Sequence, residues 1–302
     1  MKYHDLHNSG ELLRRVREAY SRLRSCDLCP HDCGVNRLAG EIGICRAGAR
    51  PRIASANVHW GEEPPISGTG GSGTIFLSSC SLHCKFCQNF PISQLGNGND
   101  LTTAELAGKL CKLQTLGVHN INFVTPGHFL PQILAALYLA VAQGFRLPIV
   151  WNSSGYERVD ALGLLDGVVD VYLPDMKYAD DESAVRFSSA PGYREVNRAA
   201  VKEMLRQVGH LRVDSGGIAV RGLIIRHLVL PEGGAGSRET LHWIGENLGR
   251  ETHVSLMKQF FPAHEAVNFP GIHRKLTEEE YEEAVEALED AGLENGWVQE
   301  GN

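Results

Sequence analysis

Apolar runs alternate with amphipathic segments from about residue 74 to residue 290. Short apolar runs bounded by turn residues predict strands, and a 3.6-residue apolar period predicts helices. The six predicted strands are TIFLSS, INFVT, PIVWN, VDVYLPD, LIIRHLVL and VSLMKQFF, which begin at residues 74, 121, 148, 169, 223 and 254. Helical segments follow near 102–116, 129–143, 157–165, 194–208, 237–248 and 277–290. Continuous apolar strands that alternate with helices indicate a parallel sheet buried on both faces.

Six strand–helix units are too few for a closed eight-unit barrel. They fit an open, partial (β/α)6 TIM-like barrel or a doubly wound sheet, so the fold class is α/β. In either architecture the chemistry belongs at the carboxyl ends of the strands.

The first seventy residues show a different pattern. Residues 10–24 predict one amphipathic helix, the Gly-rich stretch from Cys26 to Cys45 has little periodicity, and residues 51–73 read largely as loop. We therefore expect an N-terminal helix with a small Cys-rich metal-binding lobe in residues 1–70, followed by the partial barrel in residues 71–302.

Composition narrows the class of protein. The chain has 302 residues and a net charge of −7, which argues against a general nucleic-acid binder. The polar start predicts no signal peptide, and the most apolar run is too short and too polar to span a membrane. Eight cysteines without a secretion signal indicate a reducing compartment, the cytoplasm, where clustered cysteines bind metal more often than they form disulfides.

Three cysteines, Cys80, Cys84 and Cys87, directly follow the first predicted strand of the barrel. Three thiolates can hold three irons of a four-iron, four-sulfur cluster and leave the fourth iron open to a substrate or cofactor. Zinc held by the three cysteines and His83 is the alternative. Either site would lie on the loop where an α/β fold builds its chemistry.

A second group contains Cys26, Cys29, Cys33 and Cys45 in a compact, Gly-rich segment. Four thiols predict one complete, closed metal site with a structural or electron-relay role. Zinc and an auxiliary iron–sulfur cluster both satisfy this ligand set, and we favour zinc. The eighth cysteine, Cys111, lies on a predicted helix and is expected to be a core thiol.

The C-x3-C-x2-C spacing, with Phe86 before the last cysteine, resembles the radical S-adenosylmethionine superfamily. Nearly the whole chain is similar to an uncharacterised branch related to the activating enzyme of pyruvate formate-lyase. The stretches that carry this resemblance are GTGGSGTIFLSSCSLHCKFCQNFPIS, VTPGHFLPQI, WNSSGYE, DVYLPDMKYAD, LIIRHLVLPEG, LMKQFFP and LENGWVQ. The family implies an open six-strand barrel, which agrees with the six units counted above.

The resemblance implies a [4Fe-4S] cluster on Cys80, Cys84 and Cys87 whose open iron binds S-adenosylmethionine. Reductive cleavage would give methionine and a 5′-deoxyadenosyl radical that abstracts hydrogen from a substrate. The cofactor supplies this chemistry, and the protein positions it. A flavodoxin or ferredoxin would be the electron donor, and a protein that carries a glycyl radical would be the partner substrate.

The resemblance also implies roles for residues at the other strand ends. Asn152, Ser153 and Ser154 would contact the ribose, and Asp175 with Lys177 would lie near the cofactor carboxylate. Arg226, a charge within an apolar strand, needs a partner, either that carboxylate or a buried aspartate. The family's Gly-Gly-Glu-type motif is replaced here by residues 125–128, Thr-Pro-Gly-His, so the contact to the methionyl amine departs from the pattern.

Three functions follow from these observations. The first is a radical enzyme that activates a glycyl-radical partner protein. The second is a radical enzyme that modifies a small molecule or a peptide. The third is an iron–sulfur electron carrier without catalysis, which the open position left by three ligands disfavours because carriers close their clusters with four cysteines.

Overall fold

The computed structural model describes residues 1–299, which form a mixed α/β fold. The strands are β1 Arg52–His59, β2 Ser72–Leu77, β3 Asn99–Asp100, β4 Ile121–Val124, β5 Ile149–Ser153, β6 Val171–Pro174, β7 Arg212–Val213, β8 Ala219–Leu228, β9 His253–Met257 and β10 Gly296–Val298. The α-helices are α1 Lys2–Asn8, α2 Glu11–Ser21, α3 Pro64–Ser67, α4 Phe90–Ser93, α5 Thr103–Thr115, α6 Leu130–Val141, α7 Val159–Gly163, α8 Asp181–Ser188, α9 Tyr193–Val208, α10 Ser237–Leu248 and α11 Glu278–Asp290.

The strands form one open sheet. Its order is β10-β9-β8-β6-β5-β4-β2-β1-β3, with β7 paired to β8. The six predicted strands are β2, β4, β5, β6, β8 and β9, and every neighbouring pair among them is parallel. The α/β class and the parallel sheet are therefore confirmed, and the open strand path is consistent with a partial barrel.

The parallel strands place their side chains on two faces with a period of two residues. The outer face packs against the helices in the main core through Ile75, Phe123, Trp151, Tyr172 and Ile225. The alternate positions lie on the inner face and include Thr74, Asn122, Val150, Asn152, Val171, Ile224 and Arg226. The inner face thus carries polar and charged side chains among apolar ones, as a ligand-binding interior does.

The expectation that residues 51–73 form a loop is wrong for β1, which pairs antiparallel with β2. Only Ile53 of the eight β1 residues is buried, so the strand lacks the apolar run that identified the other strands. The segment after β1 turns into α3, whose Ile66 is fully buried against Val150 and Ile224 on the inner face.

The N-terminal residues pack onto the barrel. The Tyr3 hydroxyl donates to the Leu147 carbonyl oxygen at 2.9 Å, and Leu12 and Ala19 of α2 belong to the main core. A separate N-terminal lobe is therefore not confirmed, and the boundary between residues 70 and 71 stays a prediction. The last three residues of the predicted 71–302 domain lie outside the described residues.

None of the helices in residues 1–299 combines the length and the apolar content that crossing a bilayer requires.

Candidate functional site

The three-cysteine loop begins where β2 ends. Ser79 adopts a left-handed backbone conformation with φ of 72°, which turns the chain sharply before Cys80. The Ser79 amide donates to the Ile92 carbonyl oxygen at 3.0 Å, and the Lys85 amide donates to the Phe187 carbonyl oxygen at 2.8 Å. The backbone of α4 and α8 thus holds the loop in place at the carboxyl end of the strand.

Each sulfur of this loop has its own polar neighbour. The Leu82 amide donates to Cys80 Sγ at 3.3 Å, and the Ser188 hydroxyl donates to Cys84 Sγ at 3.0 Å. The Ser93 hydroxyl lies 3.0 Å from Cys87 Sγ. Hydrogen bonds to sulfur stabilise thiolate ligands and tune the potential of a cluster. The donor set therefore fits three thiolates on an iron–sulfur cluster.

Burial disfavours the thiolate form of the free cysteines. Burial, followed by the neighbouring Cys84 thiol, raises the pKa of Cys80 far above its usual value. Burial also raises the pKa of Cys84 to about 11, although Lys177 acts in the opposite direction. Lys177 therefore lies close enough to these sulfurs to favour their negative charge, the form that binds metal.

His83 does not fit the zinc alternative. Its Nδ1 lies 2.9 Å from Gln94 Oε1 and its Nε2 lies 3.1 Å from the Ile44 carbonyl oxygen, so both ring nitrogens have protein partners. Zinc on the three cysteines would therefore need a fourth ligand other than His83.

A charged network lies at the ends of β5, β6 and β8. Asp175 accepts from Lys177 Nζ at 2.6 Å through Oδ2, and from Arg226 Nε at 2.9 Å through Oδ1. Arg226 Nη2 also donates to Asn152 Oδ1 at 2.8 Å. The structure thus joins four of the predicted cofactor-binding residues. It also supplies the buried aspartate that was the alternative partner for Arg226.

Asp175 and Lys177 of this network stay charged although they are buried. Burial alone would raise the pKa of Asp175, but Arg226 and Lys177 together hold the pKa below its usual value. Burial opposes the charge of Lys177, yet Asp175 raises the pKa of that amine. Two cations share the single Asp175 carboxylate, and the carboxyl groups of Glu62 and Glu63 also lie near Arg226.

The other two predicted ribose contacts, Ser153 and Ser154, line the same small cavity, together with Cys29 and Ser81. The Ser153 hydroxyl donates to Glu157 Oε2 at 2.7 Å, and Trp151 Nε1 donates to the other oxygen of that buried carboxylate.

Residues 125–128 contact the chain that leads into the three-cysteine loop. Thr125 has a left-handed φ of 57°, a costly conformation for a β-branched residue. His128 is buried, burial lowers its pKa to about 4, and its Nε2 lies 2.9 Å from the Ser78 carbonyl oxygen. His128 therefore fixes the peptide two residues before Cys80, a role that sequence reasoning did not assign.

The four-cysteine segment, residues 26–45, forms a compact group of its own. Cys26 is buried with Leu23 and Leu28, with Cys33 packed against them. A Cβ on Gly43 would lie 2.5 Å from Cys33 Sγ, so a larger residue at this position would displace the sulfur. Burial raises the pKa of Cys29 to about 12, and the other three thiols lie near enough to raise it further. The structure therefore brings these cysteines together.

Arg37 is the feature of this segment that sequence reasoning missed. It is only 1% exposed, and its guanidinium donates to the carbonyl oxygens of His128 and Gly48 at 2.7 Å each. Its Nη1 lies 4.0 Å from Cys26 Sγ, and it lowers the pKa of Cys45 against the larger effect of burial. Among the described residues none of its hydrogen bonds goes to a carboxylate. A buried cation needs a counter-charge, and thiolates are the nearby groups that can supply one.

The two cysteine groups touch each other. His31 Nε2 lies 2.7 Å from the Ser81 carbonyl oxygen, and His83 Nε2 contacts the Ile44 carbonyl oxygen. The four-cysteine segment therefore covers one side of the three-cysteine loop. The sequence gives no signal of this contact, because the two segments are more than thirty residues apart.

Two solved structures of HydG, a maturase of the [FeFe]-hydrogenase, share the fold with a TM-score of 0.50 each. One is 11% identical, and the other, from Carboxydothermus hydrogenoformans, is 14% identical. Each match covers 76% of this chain but only 52% and 54% of the HydG chains, so the chain spans about half their length.

No protein-family model matches the chain. The uncharacterized protein MJ0674 of Methanocaldococcus jannaschii is 32% identical over 288 residues, which cover 93% of this chain and 79% of that relative. The chain therefore belongs to the family of MJ0674.

Proposed function

We propose that this protein is a radical S-adenosylmethionine enzyme with a [4Fe-4S] cluster on Cys80, Cys84 and Cys87. The observation that carries the proposal is the loop after β2, where three thiols each have a polar neighbour. The superfamily resemblance and the fold shared with HydG support it.

With the cofactor bound, this group would supply reductive cleavage to methionine and a 5′-deoxyadenosyl radical. The protein would contribute position and charge. Lys177 and Arg226, which share Asp175, would bind the methionyl carboxylate, and Ser154 would contact the ribose. Asn152 would act through Arg226, since its amide oxygen already accepts from that side chain.

Activation of a glycyl-radical partner is the finer form of this proposal, and it rests on the sequence resemblance. An electron donor such as flavodoxin or ferredoxin belongs to the same proposal. Modification of a small molecule or a peptide is the second candidate. The polar inner face favours it, because Asn122 and Asn152 lie on the wall that a substrate in the barrel would touch.

We also propose a second metal centre on Cys26, Cys29, Cys33 and Cys45. The buried Arg37, whose hydrogen bonds go to carbonyl oxygens and a sulfur, supports it because metal-bound thiolates would balance its charge. Four ligands would close the centre to substrate, so its role would be structural or electron relay. Zinc and an iron–sulfur cluster remain the two forms of this proposal.

Anaerobic reconstitution with iron and sulfide tests the main proposal. The reduced protein should convert S-adenosylmethionine to methionine and 5′-deoxyadenosine. Replacing Cys80, Cys84 and Cys87 together with Ala should remove about four irons per chain and reduce cleavage to background. Cys111→Ala is the matched control, because this half-buried thiol on α5 lies outside both groups. Full iron content with unchanged cleavage in the triple variant would refute the assignment.

A further inference from the structure

The inner face of the barrel carries a carboxylate pair that no step above uses. Glu62 and Glu63 lie between β1 and α3, on the segment that covers the inner face. Two hydrogen bonds hold the segment in place: the Ile66 amide donates to the Glu63 carbonyl oxygen at 2.8 Å, and Asn120 Nδ2 donates to the Ile66 carbonyl oxygen at 2.8 Å. Packing of Ile66 against Val150 then fixes where the two carboxylates lie.

Buried polar atoms on this wall lack partners. Glu63 is 9% exposed, and its Oε2 has no hydrogen-bond partner within residues 1–299. Asn122 is fully buried, and neither its amide oxygen nor its amide nitrogen has a partner among those residues. An unsatisfied buried polar group costs about 1–3 kcal/mol, and more when it is charged. Such groups on an interior wall indicate a place for a ligand.

The pair lies next to the proposed cofactor site. Glu62 Oε2 is 3.5 Å from Asn152 Nδ2, and Asn152 in turn accepts from Arg226. Glu63 and Glu62 both raise the pKa of Arg226, after Asp175 and against the effect of burial, so both carboxylates lie near its guanidinium. The hydrogen bonds of Arg226 to side chains go to Asp175 and Asn152. Glu63 therefore interacts with the Arg226 guanidinium through its charge, without a hydrogen bond among the described residues.

A cofactor carboxylate would unbalance the charges of this interior. Two cations, Lys177 and Arg226, face the carboxylates of Asp175 and Glu63 and the carboxyl group of Glu62, whose pKa is raised by burial. A further carboxylate on the two cations would leave a negative excess around Glu63. A buried carboxylate with a free oxygen gains most from a ligand that is both cationic and a hydrogen-bond donor.

We propose that Glu62 and Glu63 bind a cationic amino group of the substrate inside the barrel, with Asn122 completing the polar wall. This inference rests on the proposed function, since it names the substrate class for that same site. Glu63 provides the free carboxylate oxygen, and Glu62 is held by Asn152 on the cofactor side and by His59 Nδ1 at 3.2 Å on the other. The neighbouring Trp60 is 64% exposed, so the segment that carries the pair reaches solvent.

Binding of simple probes to the reconstituted protein tests the proposal. Ligand-observed NMR titration with n-butylammonium should show binding at least tenfold tighter than with n-butanol, its neutral counterpart. Glu63→Gln, which keeps the shape and removes the charge, should weaken butylammonium binding at least tenfold. Glu286→Gln, on the exposed face of α11, is the matched control and should bind as the wild type does.

A second arm separates the two sources of an amine. Nα-acetyl-lysine N-methylamide presents the same ammonium group on a peptide backbone, so tighter binding of this probe assigns the site to a peptide, and tighter binding of butylammonium assigns it to a small molecule. Equal binding of butylammonium by wild type and Glu63→Gln, or equal binding of butanol and butylammonium by the wild type, would overturn the proposal. The readout requires no cofactor cleavage, so its failure would leave the proposed function standing.

Discussion

The two cysteine groups lie side by side but have opposite surroundings. Cys80, Cys84 and Cys87 follow a strand and have a hydroxyl or amide at each sulfur, and Lys177, bonded to Asp175, lies near Cys80 and Cys84. Cys26 and its three companions pack with Leu23 and Leu28, and their nearby charge is the buried Arg37. The first group lies beside a charged interior, and the second lies among apolar side chains, with Cys29 on the cavity that Ser81 and Ser154 also line.

In our proposal, the three-cysteine group carries the reaction and the four-cysteine group supports it. An incomplete ligand set is useful only where a second molecule can reach the metal, and the strand ends of an α/β fold provide that access. A complete set needs no such access, and Cys26 and Cys45 of the loop formed by residues 26–45 are buried. The contacts from His31 to Ser81 and from His83 to Ile44 join the four-cysteine segment to the three-cysteine loop. The segment can therefore stabilise the conformation of that loop.

The largest effect that we expect is on the folding stability of the protein, after a substitution in the four-cysteine segment. Cys29→Ser removes one of four ligands, so metal binding energy that is largely folding energy is lost. A loss of about 5 kcal/mol would lower Tm by roughly 8 °C in a chain of 302 residues. Calorimetry with Cys111→Ser as control measures it, and iron at Cys80 should remain. Normal stability with lost electron transfer would instead favour an auxiliary cluster.

Arg37→Met tests whether the buried Arg37 balances the charge of metal-bound thiolates in the four-cysteine segment. We expect a loss of about 3 kcal/mol in the metal-loaded protein, because thiolates lose their counter-charge and two carbonyl oxygens lose a donor. The loss should be smaller after chelation, when the thiols are neutral. Denaturant unfolding of both forms measures this, with the exposed Arg24→Met as control. Equal losses in both forms would show that Arg37 serves the carbonyl oxygens alone.

Arg226→Ala tests the proposed cofactor site beside the three-cysteine loop. We expect S-adenosylmethionine to bind at least tenfold more weakly, about 1.4 kcal/mol, with the iron content unchanged. Calorimetric titration of the reconstituted protein measures this, and Arg238→Ala, which removes an exposed ion pair with Asp290, is the control. Unchanged affinity would leave Arg226 as a structural partner of Asp175.

The sequence was sufficient to predict what depends on local pattern. The six parallel strands are buried on both faces and therefore appear as apolar runs. β1 was missed because a single one of its residues is buried, and α8 because its segment, Asp181–Ser188, is largely polar. The two cysteine groups were found because metal ligands within a loop have short spacings.

Residues that act through distant contacts could not be predicted. Arg37 lies in a Gly-rich segment and resembles an exposed basic residue, yet Phe129 and the carbonyl oxygens of Gly48 and His128 enclose it. Glu62 and Glu63 precede two prolines and resemble a surface turn. Only the packing of Ile66 against β5 and β8 brings them to the interior.

The central claim is that the cluster on Cys80, Cys84 and Cys87 has an iron open to the cofactor. Electron paramagnetic resonance of the reduced Cys29→Ser protein tests it directly, because that variant isolates the three-cysteine group. The account predicts a cluster signal whose g-values change when S-adenosylmethionine is added. A cluster signal that stays the same at saturating S-adenosylmethionine would contradict an open iron and with it the assignment of this loop.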